Sequence, residues 1–410
     1  MKKKFFALLL VLALIAVLCS VFVGCNKKKD DQVVFGLITL HDSSSTYDKN
    51  FIDAATAVCN EMGVKLIVKS GIDETNQCYE TAVDLVDQGC DIIFADSFGH
   101  EEFMIKAAKE FPNVQFCHAT GTMAHTENLA NFHNAFASIY EGRYLAGIAA
   151  GMKINAMIAA NPSLPALMGY VGAYPYAEVV SGLTSFYLGA KSVCPTVQMK
   201  TRFTNSWYDV TLENNAAAAL ISEGCILLSQ HADSMGAPSK CQETGTPDVT
   251  YNLSTKADCP TTYLIGSKID WSVYFKLIID AVKGGTAIPT DWCGGIASGA
   301  VKLTELNETV AAAGTADAIA AAKAKFEAGT LKVFDLSTFT VQGATLTNYM
   351  ADVNTDANFT PDTEVVKTAT INGATVKYIA ESEFRSAPYF GLWYGPNDTV
   401  WGIDGITITL

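Results

Sequence analysis

The sequence lacks the short motifs that mark common catalytic and phosphate-binding sites. It has no GxxxxGK[ST] loop, no GxGxxG after its first predicted strand and no GxSxG elbow. It also has no CxxC pair, and no His lies at metal-ligand spacing from a Cys. These absences argue against a phosphate-cradling enzyme, a serine hydrolase and a zinc protein. We therefore expect no catalytic residue, no metal and no cofactor.

Positive charge is scarce. The 410 residues contain 28 Lys and Arg against 42 Asp and Glu, which gives a formal net charge of -14 at pH 7. A surface this acidic is repelled by the phosphates of nucleic acids and by anionic lipid headgroups. Nucleic acid is therefore excluded as a partner, and attachment to a membrane has to come from another feature of the chain.

Long hydrophobic runs are also rare, and the one with the length of a membrane span lies at the N-terminus. Phe5–Gly24 carries no charge, follows three Lys and ends at Cys25. This pattern is typical of a lipoprotein signal, so we expect residues 1–24 to be removed, Cys25 to carry the lipid and 25–32 to form a tether. The alternative is an uncleaved N-terminal anchor. Both interpretations place the remaining chain on the extracytoplasmic face of the cell membrane.

Cysteine, in contrast, is frequent for an exported protein, since nine of the eleven Cys follow Cys25. Several stand in apolar surroundings, as in Ala57-Val58-Cys59 and Gln115-Phe116-Cys117. We interpret these as small core residues rather than as members of bridges. Which of the nine thiols pair is left open by their spacing.

From Val33 onward, short apolar runs alternate with amphipathic helical patterns. That alternation predicts parallel strands covered by helices on both faces. The first series predicts strands at 33–40, 64–69, 91–95 and 114–118, and helices at 50–62, 76–88 and 101–111. A second series repeats this architecture, with predicted strands at 167–171, 197–203, 226–229, 248–251 and 262–265, and helices at 139–152, 177–192 and 210–222.

The fold class is therefore α/β, with two doubly wound Rossmann-like lobes joined by a hinge. We expect the chain to cross between the lobes at 131–138 and to return near 261–267. The predicted N-terminal lobe comprises 33–135 and about 262–300, and the predicted C-terminal lobe comprises 136–261 and about 301–410.

The amino-acid composition changes over the last hundred residues. The Ala-rich stretch 309–332 predicts a helix, and residues 333–410 are richer in Thr, Val, Gly and aromatic residues. We expect that tail to form short strands and loops on the second lobe. Within it, Gly391–Asp398 predicts an exposed turn.

Polar and aromatic side chains recur where the predicted strands end. Ligands of doubly wound sheets bind at the carboxyl ends of the strands, so these side chains are candidate ligand contacts. Rings can stack on a flat, neutral ligand while carboxylates accept hydrogen bonds from its hydroxyl groups, which favours a nucleoside or a sugar. The candidates are Asp42, Tyr47, Asp48, Asn50, Asp96, Phe98, Tyr174, Trp207, His231 and Asp233.

Several stretches resemble the basic membrane protein family, whose members are substrate-binding lipoproteins of ABC transporters and include purine nucleoside receptors. The resemblance covers nearly the whole chain after the signal. It rests on GLIT followed by DKNF, and on KEFPNV, EGRYLAG, GYVG, WYD, QHAD and WCGG, which begin at residues 36, 48, 109, 141, 169, 207, 230 and 292.

The resemblance implies a type I periplasmic-binding fold that closes on a nucleoside-like ligand and delivers it to permease subunits. It further implies that Phe51 stacks on the base, that Trp207 forms a second stacking wall, and that Asn252 and Lys268 contact a sugar. Three alternatives remain at this point: a ligand-sensing receptor module of the same fold, a sugar-binding lipoprotein and an enzyme.

Overall fold

The computed structural model describes residues 32–356, 358 and 360–410. The predicted signal peptide, the predicted lipidation site Cys25 and all of the predicted tether except its last residue lie outside this described part. No helix in the described ranges is both long and apolar enough to cross a membrane.

The chain first builds one α/β lobe. Its strands contain continuous apolar residues, such as Phe35 to Ile38, because helices cover both faces of a parallel sheet. The elements are β1 (Val34–Ile38), α1 (Thr46–Met62), β2 (Lys65–Lys69), α2 (Asn76–Asp87), β3 (Ile92–Ala95), α3 (Glu101–Glu110), β4 (Gln115–Ala119), α4 (Ala124–Glu127) and β5 (Phe132–Ala137).

A long helix then leads into a second lobe of the same architecture. This lobe contains α5 (Ile139–Ala160), β6 (Leu167–Gly172), α6 (Ala177–Val193), β7 (Gln198–Phe203), α7 (Val210–Ser222), β8 (Leu227–His231), α8 (Gly236–Thr244), β9 (Asp248–Tyr251) and β10 (Tyr263–Ile269). The chain next returns to the first lobe for α9 (Ser272–Gly284) and β11 (Asp291–Gly294), and crosses again to β12 (Val301–Leu303) and α10 (Thr315–Glu327).

Two sheets result. The first has the order β11-β5-β4-β3-β1-β2, and all of its strands are parallel. The second has the order β12-β10-β9-β8-β6-β7-β19, where β19 is Ile406–Thr407 near the end of the chain, and only β12 runs antiparallel to its neighbour. The predicted α/β class with two doubly wound lobes is confirmed.

Both predicted crossings need correction. Most of 131–138 is β5, which pairs with β4 in the first sheet, so the first crossing narrows to Ser138 before α5. The return does not occur at 261–267, because β10 pairs with β9 and β12 in the second sheet. Residues 263–269 therefore belong to the C-terminal lobe, and the chain returns to the first lobe only after Ile269.

The tail forms short strands, as predicted: β13 (Met350–Ala351), β14 (Thr363–Glu364), β15 (Val366–Ile371), β16 (Ala374–Ile379), β17 (Trp393–Tyr394), β18 (Val400–Trp401) and β19 (Ile406–Thr407). Strand β19 joins the second sheet, yet the tail also reaches the first lobe. His125 lies within 2.8 Å of the carbonyl oxygen of Asn354, and the Ser386 hydroxyl donates to Asp291 at 2.6 Å. The tail thus bridges both lobes instead of packing on the second alone.

The cysteines after Cys25 behave as core residues. All nine are free thiols, and each is buried except Cys293, which is half-buried. Desolvation in these apolar surroundings raises the pKa of Cys59 to about 11.

Candidate functional site

A cavity lies between the lobes, where the carboxyl ends of the two sheets face each other. The space between its walls, including the part that is open to solvent, is about 370 Å³. The first lobe contributes residues that follow β1, β3 and β4, and the second lobe contributes residues from β8, β9 and the loops after β6 and β7. The lining residues are Leu40, His41, Tyr47, Asp48, Ser97, Phe98, Thr120, Glu178, Trp207, His231, Asp233 and Tyr251.

Asp48 is the best-organised carboxylate of the cavity. It lies in the first turn of α1, where Ser45 caps the helix by accepting a hydrogen bond from the Asp48 amide. The Asp48 carboxylate accepts from the His41 amide at 2.7 Å and from the Ser45 hydroxyl at 2.5 Å. Burial raises the pKa of Asp48, but the hydrogen bonds from His41 and Ser45 outweigh burial and lower the net value. Asp48 is therefore a fixed negative charge.

Two further carboxyl groups close to Asp48 have pKa values that are shifted in the opposite direction. Burial raises the pKa of Asp96 and of Asp233 well above the usual range, and the charge on Asp48 raises both further. Asp96 accepts from the Leu40 amide at 3.1 Å through Oδ1, while its Oδ2 has no partner among the described residues. The cavity wall thus combines the charged Asp48 with Asp233, a carboxyl group whose pKa is raised.

His231 lies at the base of the cavity on the second lobe. Its ring is 4.1 Å from the Tyr251 ring between centroids, and its Nε2 is 3.6 Å from a carboxylate oxygen of Glu178. Burial lowers the pKa of His231, although Glu178 acts in the opposite sense. Neither ring nitrogen of His231 has a hydrogen-bond partner in the described part of the chain. The neutral imidazole is therefore free to donate to or accept from a ligand.

A buried cation, Arg143, holds together the strands of the second lobe near His231. Arg143 of α5 is fully buried and donates to Ser229 Oγ at 2.7 Å and to the Tyr170 hydroxyl at 3.0 Å. It also donates to the carbonyl oxygens of Thr250 and Gln230. These contacts tie β6, β8 and β9 together directly beneath His231.

Aromatic rings form one wall and the rim. The Trp207 ring lies edge-on to Tyr174, with 5.1 Å between centroids, and Tyr174 stacks on Tyr176 at the same distance with 8° between the planes. Phe98 of the first lobe meets Tyr176 across the cleft at 5.9 Å. The lobes therefore touch at the rim, and the structure represents a closed state.

The structure brings six of the predicted contact residues to the cavity. Two more lie beside it: Tyr174 packs on Trp207 as described, and the carbonyl oxygen of Asp96 accepts from the Tyr47 hydroxyl at 2.8 Å. The six residues on the wall itself are Tyr47, Asp48, Phe98, Trp207, His231 and Asp233.

Phe51 does not line the cavity, although the resemblance implies that it stacks on a ligand. Its side chain is fully buried, and its ring stacks on Trp271 with centroids 4.4 Å apart. Tyr47, one helical turn earlier, stands between Phe51 and the cleft, with the two rings 4.9 Å apart. Phe51 is a core residue in this closed state.

Four other predicted contacts also lie off the cavity wall. Asp42 is exposed and accepts from the Ser44 amide. Asn50 is buried and donates to the carbonyl oxygen of Ile269 at 2.8 Å, which holds α1 to the end of β10. Asn252 is buried with a φ of 64°, and Lys268 lies within β10. None of these four lines the cavity in the described structure.

Several residues of the cavity wall were not among the ligand contacts predicted from the sequence. Thr120 follows β4 with a φ of 65°, a left-handed conformation that is unusual for a β-branched residue and could not be read from the sequence. Glu178 lies in the first turn of α6, two residues after Tyr176, and its position after a strand end was an available signal. Tyr251, at the end of β9, offered the same signal.

Among the described residues, no group of three or more His, Cys, Asp or Glu side chains is arranged to hold a metal ion. The cavity has polar groups of both hydrogen-bonding senses beside stacked rings. This combination can bind a ligand non-covalently.

Comparison with known proteins agrees with this geometry. The family described as "ABC transporter substrate-binding protein PnrA-like" matches residues 33–331. The purine-binding protein BAB2_0673 of Brucella abortus is 35% identical over 215 residues, which are 52% of this chain and 58% of the relative. The putative ABC transporter glucose-binding protein TsgA13 of Haloferax volcanii is 33% identical over 220 residues, 54% of this chain and 53% of the relative. The matches thus span little more than half of these relatives' length.

Solved structures show the same fold at low identity. A solute-binding protein of an ABC transporter system from Conexibacter woesei superposes with a TM-score of 0.61 at 19% identity, over 73% of this chain and 98% of that one. A second such protein, from Aeropyrum pernix, gives a TM-score of 0.63 at 16% identity over 74% and 93%. Because the family match covers most of the sequence, this chain belongs to the PnrA-like family of ABC transporter substrate-binding proteins.

Proposed function

We propose that this protein captures a purine nucleoside, or a closely related neutral solute, between its two lobes and delivers it to the permease subunits of an ABC importer. In this proposal the protein acts on the extracytoplasmic face of the cell membrane, where a lipid on Cys25 anchors it. It performs no chemical conversion of the ligand.

The composition of the cavity wall carries this proposal. Among the twelve described residues that line it there is no Lys or Arg, whereas Asp48, Glu178 and Asp233 are present. Phosphate groups are recognised by Arg, Lys or clusters of backbone amides, so this wall disfavours a nucleotide. A ligand with several hydroxyl or amino donors and no negative charge suits it better.

The aromatic wall supports a ligand with a flat ring. In the proposed complex, Trp207 stacks on the base, and Tyr174 and Tyr176 hold the Trp207 ring from behind. Asp48 and Glu178 accept hydrogen bonds from the ligand, and His231 and Asp233 complete the polar contacts.

Closure of the lobes gives the transport step a physical basis. The Thr46 amide of the first lobe donates to the carbonyl oxygen of Asp233 in the second, at 2.9 Å. A ligand that contacts both lobes stabilises the closed state over the open one by its differential affinity. We propose that the permease recognises this closed, loaded form.

A sugar is the second candidate ligand. The relative from Haloferax volcanii is named as a putative glucose-binding protein, and rings beside carboxylates also suit a pyranose. The two candidates differ in one requirement, because only the nucleoside presents a large planar base to Trp207.

The test uses residues 26–410, which omit Cys25 and the lipid. The protein is unfolded to release bound solute, refolded and melted in the presence of nucleosides, sugars and amino acids. At a hundredfold excess over its dissociation constant, a ligand that binds only the folded state stabilises it by about 2.7 kcal/mol, which a melt detects. We expect a shift with guanosine, inosine or adenosine that is lost in Trp207→Ala. A shift with a sugar alone contradicts the nucleoside assignment.

A further inference from the structure

A second chamber adjoins the cavity, and part of its wall comes from the tail. Its empty volume is about 770 Å³, and it shares Phe98, Thr120, Glu178 and Trp207 with the cavity. The two spaces therefore lie side by side. The residues that line only the chamber are Thr122, Tyr176, Ala177, Arg385, Ala387 and Pro388.

The tail segment 385–388 lies outside the part of the chain that the family match covers, which ends at residue 331. This segment is held firmly in place. Glu381 is buried, and its carboxylate accepts hydrogen bonds from the backbone amides of Tyr389 and Phe390 at 3.0 to 3.3 Å. The position of the wall is thus fixed from its C-terminal side by a buried acceptor.

The same segment is fixed from the first lobe. Ser386 donates to one carboxylate oxygen of Asp291 through its hydroxyl at 2.6 Å and through its amide at 3.2 Å. Asp291 is the first residue of β11, so the segment is attached to the edge strand of the first sheet. Residues 385–388 therefore form a built wall of the cleft.

Arg385 gives this wall a cationic donor, which the described cavity wall lacks. Its side chain is 11% exposed, and its one ion-pair contact in the described structure, with Asp352, is long at 3.9 Å. Its Nε has no hydrogen-bond partner among the described residues. No other Lys or Arg lines either the chamber or the cavity in the described part of the chain. The remaining wall is largely apolar, with Tyr176, Ala177 and Pro388.

We propose that this chamber is a second subsite of the cleft, and that it takes the distal substituent of a ligand whose ring occupies the cavity. The substituent is apolar or aromatic and carries a hydrogen-bond acceptor for Arg385. This inference rests on the proposed binding of a nucleoside in the cavity. It extends the ligand class to nucleosides that carry a substituent on the base or on the sugar.

The test measures dissociation constants by calorimetry with the ligand-free protein, residues 26–410. The probes are adenosine and four derivatives: N6-benzyladenosine, N6-benzoyladenosine, 5′-O-benzyladenosine and 5′-O-benzoyladenosine. The first two carry their phenyl ring on the base and the last two carry it on the sugar, so the probes cover either orientation of the nucleoside in the cleft. We expect the two derivatives that are substituted at one of these ends to bind more tightly than adenosine, by roughly tenfold or more. The benzoyl member, which has the carbonyl acceptor, should bind more tightly than its benzyl partner.

Two variants test the chamber itself. Ala177→Phe fills the chamber. In this variant the derivative should bind no more tightly than adenosine, so the wild-type gain in affinity should disappear. Ala321→Phe is the matched control, because Ala321 is an exposed position of α10 far from the chamber, and it should keep the wild-type gain. Arg385→Gln should remove the difference in affinity between the benzoyl and benzyl derivatives. If Arg385→Gln folds poorly, Ala177→Phe still tests the chamber.

The outcomes separate the two proposals. If adenosine binds and none of the four derivatives binds more tightly, the second subsite is wrong and the nucleoside assignment stands. A gain that persists in Ala177→Phe also overturns the subsite. If adenosine and its derivatives do not bind but guanosine or inosine does, the second subsite as proposed is wrong and the nucleoside assignment stands. If no nucleoside binds, both proposals fail.

Discussion

The backbone amide of Thr46 donates a hydrogen bond across the cleft to the carbonyl oxygen of Asp233, at 2.9 Å. The Thr46 hydroxyl contacts the same oxygen at 3.2 Å. Both residues adjoin the cavity, since Asp48 and Asp233 line it. Closure of the lobes and completion of the binding site are therefore one structural event.

Thr46→Pro should weaken ligand binding by roughly tenfold, because it removes both contacts and so destabilises the closed state by about 1.5 kcal/mol. Thr46 is the first residue of α1, a position where proline is tolerated. The preceding Ser45 has the extended conformation that a following proline requires, with φ -75° and ψ 130°. Calorimetry measures the affinity.

The control for this prediction is Thr46→Ala, which keeps the amide and loses only the hydroxyl. It should lose less affinity than the proline variant. Circular dichroism should show equal helix content in both. Equal affinity of Thr46→Pro and wild type would contradict the account of closure.

Phe51→Leu should lower stability and leave ligand affinity nearly unchanged. Phe51 is fully buried against Trp271, so the loss of ring contacts should cost about 1–2 kcal/mol of the free energy of unfolding. A denaturant titration measures that loss, and calorimetry of the folded variant measures affinity. A large loss of affinity with an unchanged unfolding midpoint would restore Phe51 as a ligand contact.

Glu213→Gln should flatten the dependence of stability on pH. Burial raises the pKa of Glu213 from its ordinary value of 4.5 to about 7, although hydrogen bonds with Ser234 oppose this rise. The folded state therefore binds the proton more tightly than the unfolded state does. This group stabilises the fold at low pH, and its contribution of at most about 3 kcal/mol is lost as pH rises from about 4.5 to about 7.

Melting temperatures of wild type and Glu213→Gln, measured across that pH window, check this sign. The wild type should lose more stability than the variant on going from pH 5 to pH 7. An identical slope in both proteins would show that Glu213 does not titrate there.

The nine cysteines should react slowly in the native protein and completely after unfolding. Burial raises the pKa of Cys90 to about 11 and that of Cys117 to about 12, so little thiolate is available at neutral pH. A thiol reagent such as dithionitrobenzoate counts them without reductant. All nine free thiols of residues 26–410 should titrate in denaturant, and a count of seven or fewer would indicate a disulfide.

The sequence was most informative where a local signal ends an element. Helix α7 begins and ends as predicted, because Asp209 caps it by accepting from the amides of Thr211 and Leu212. Helix α10 is shorter than the predicted 309–332, since a run of Ala gives no start or stop signal and the backbone turns at Gly314 with a φ of 79°. Strand β5 was missed because His133 and Asn134 interrupt its apolar run, although both are buried.

The site was predictable only in part, for a reason that concerns distance along the chain. Strand ends identified Asp48, Trp207 and Asp233 correctly as cleft residues, because parallel strands align their carboxyl ends. The position of Phe51 off the cavity wall depends on Trp271, which lies 220 positions later and stacks on its ring. The tail wall at 385–388 likewise reaches the cleft through Asp291, a contact that no local pattern in the sequence indicates.

The central claim, that the cavity binds a purine nucleoside, is tested most directly by calorimetric titration of refolded, ligand-free protein with guanosine, inosine and adenosine, and with glucose in parallel. We predict saturable binding of at least one nucleoside, with one ligand bound per chain, no comparable binding of glucose, and a loss of roughly tenfold or more in Trp207→Ala. Saturable binding of glucose with no heat from any nucleoside would contradict the account.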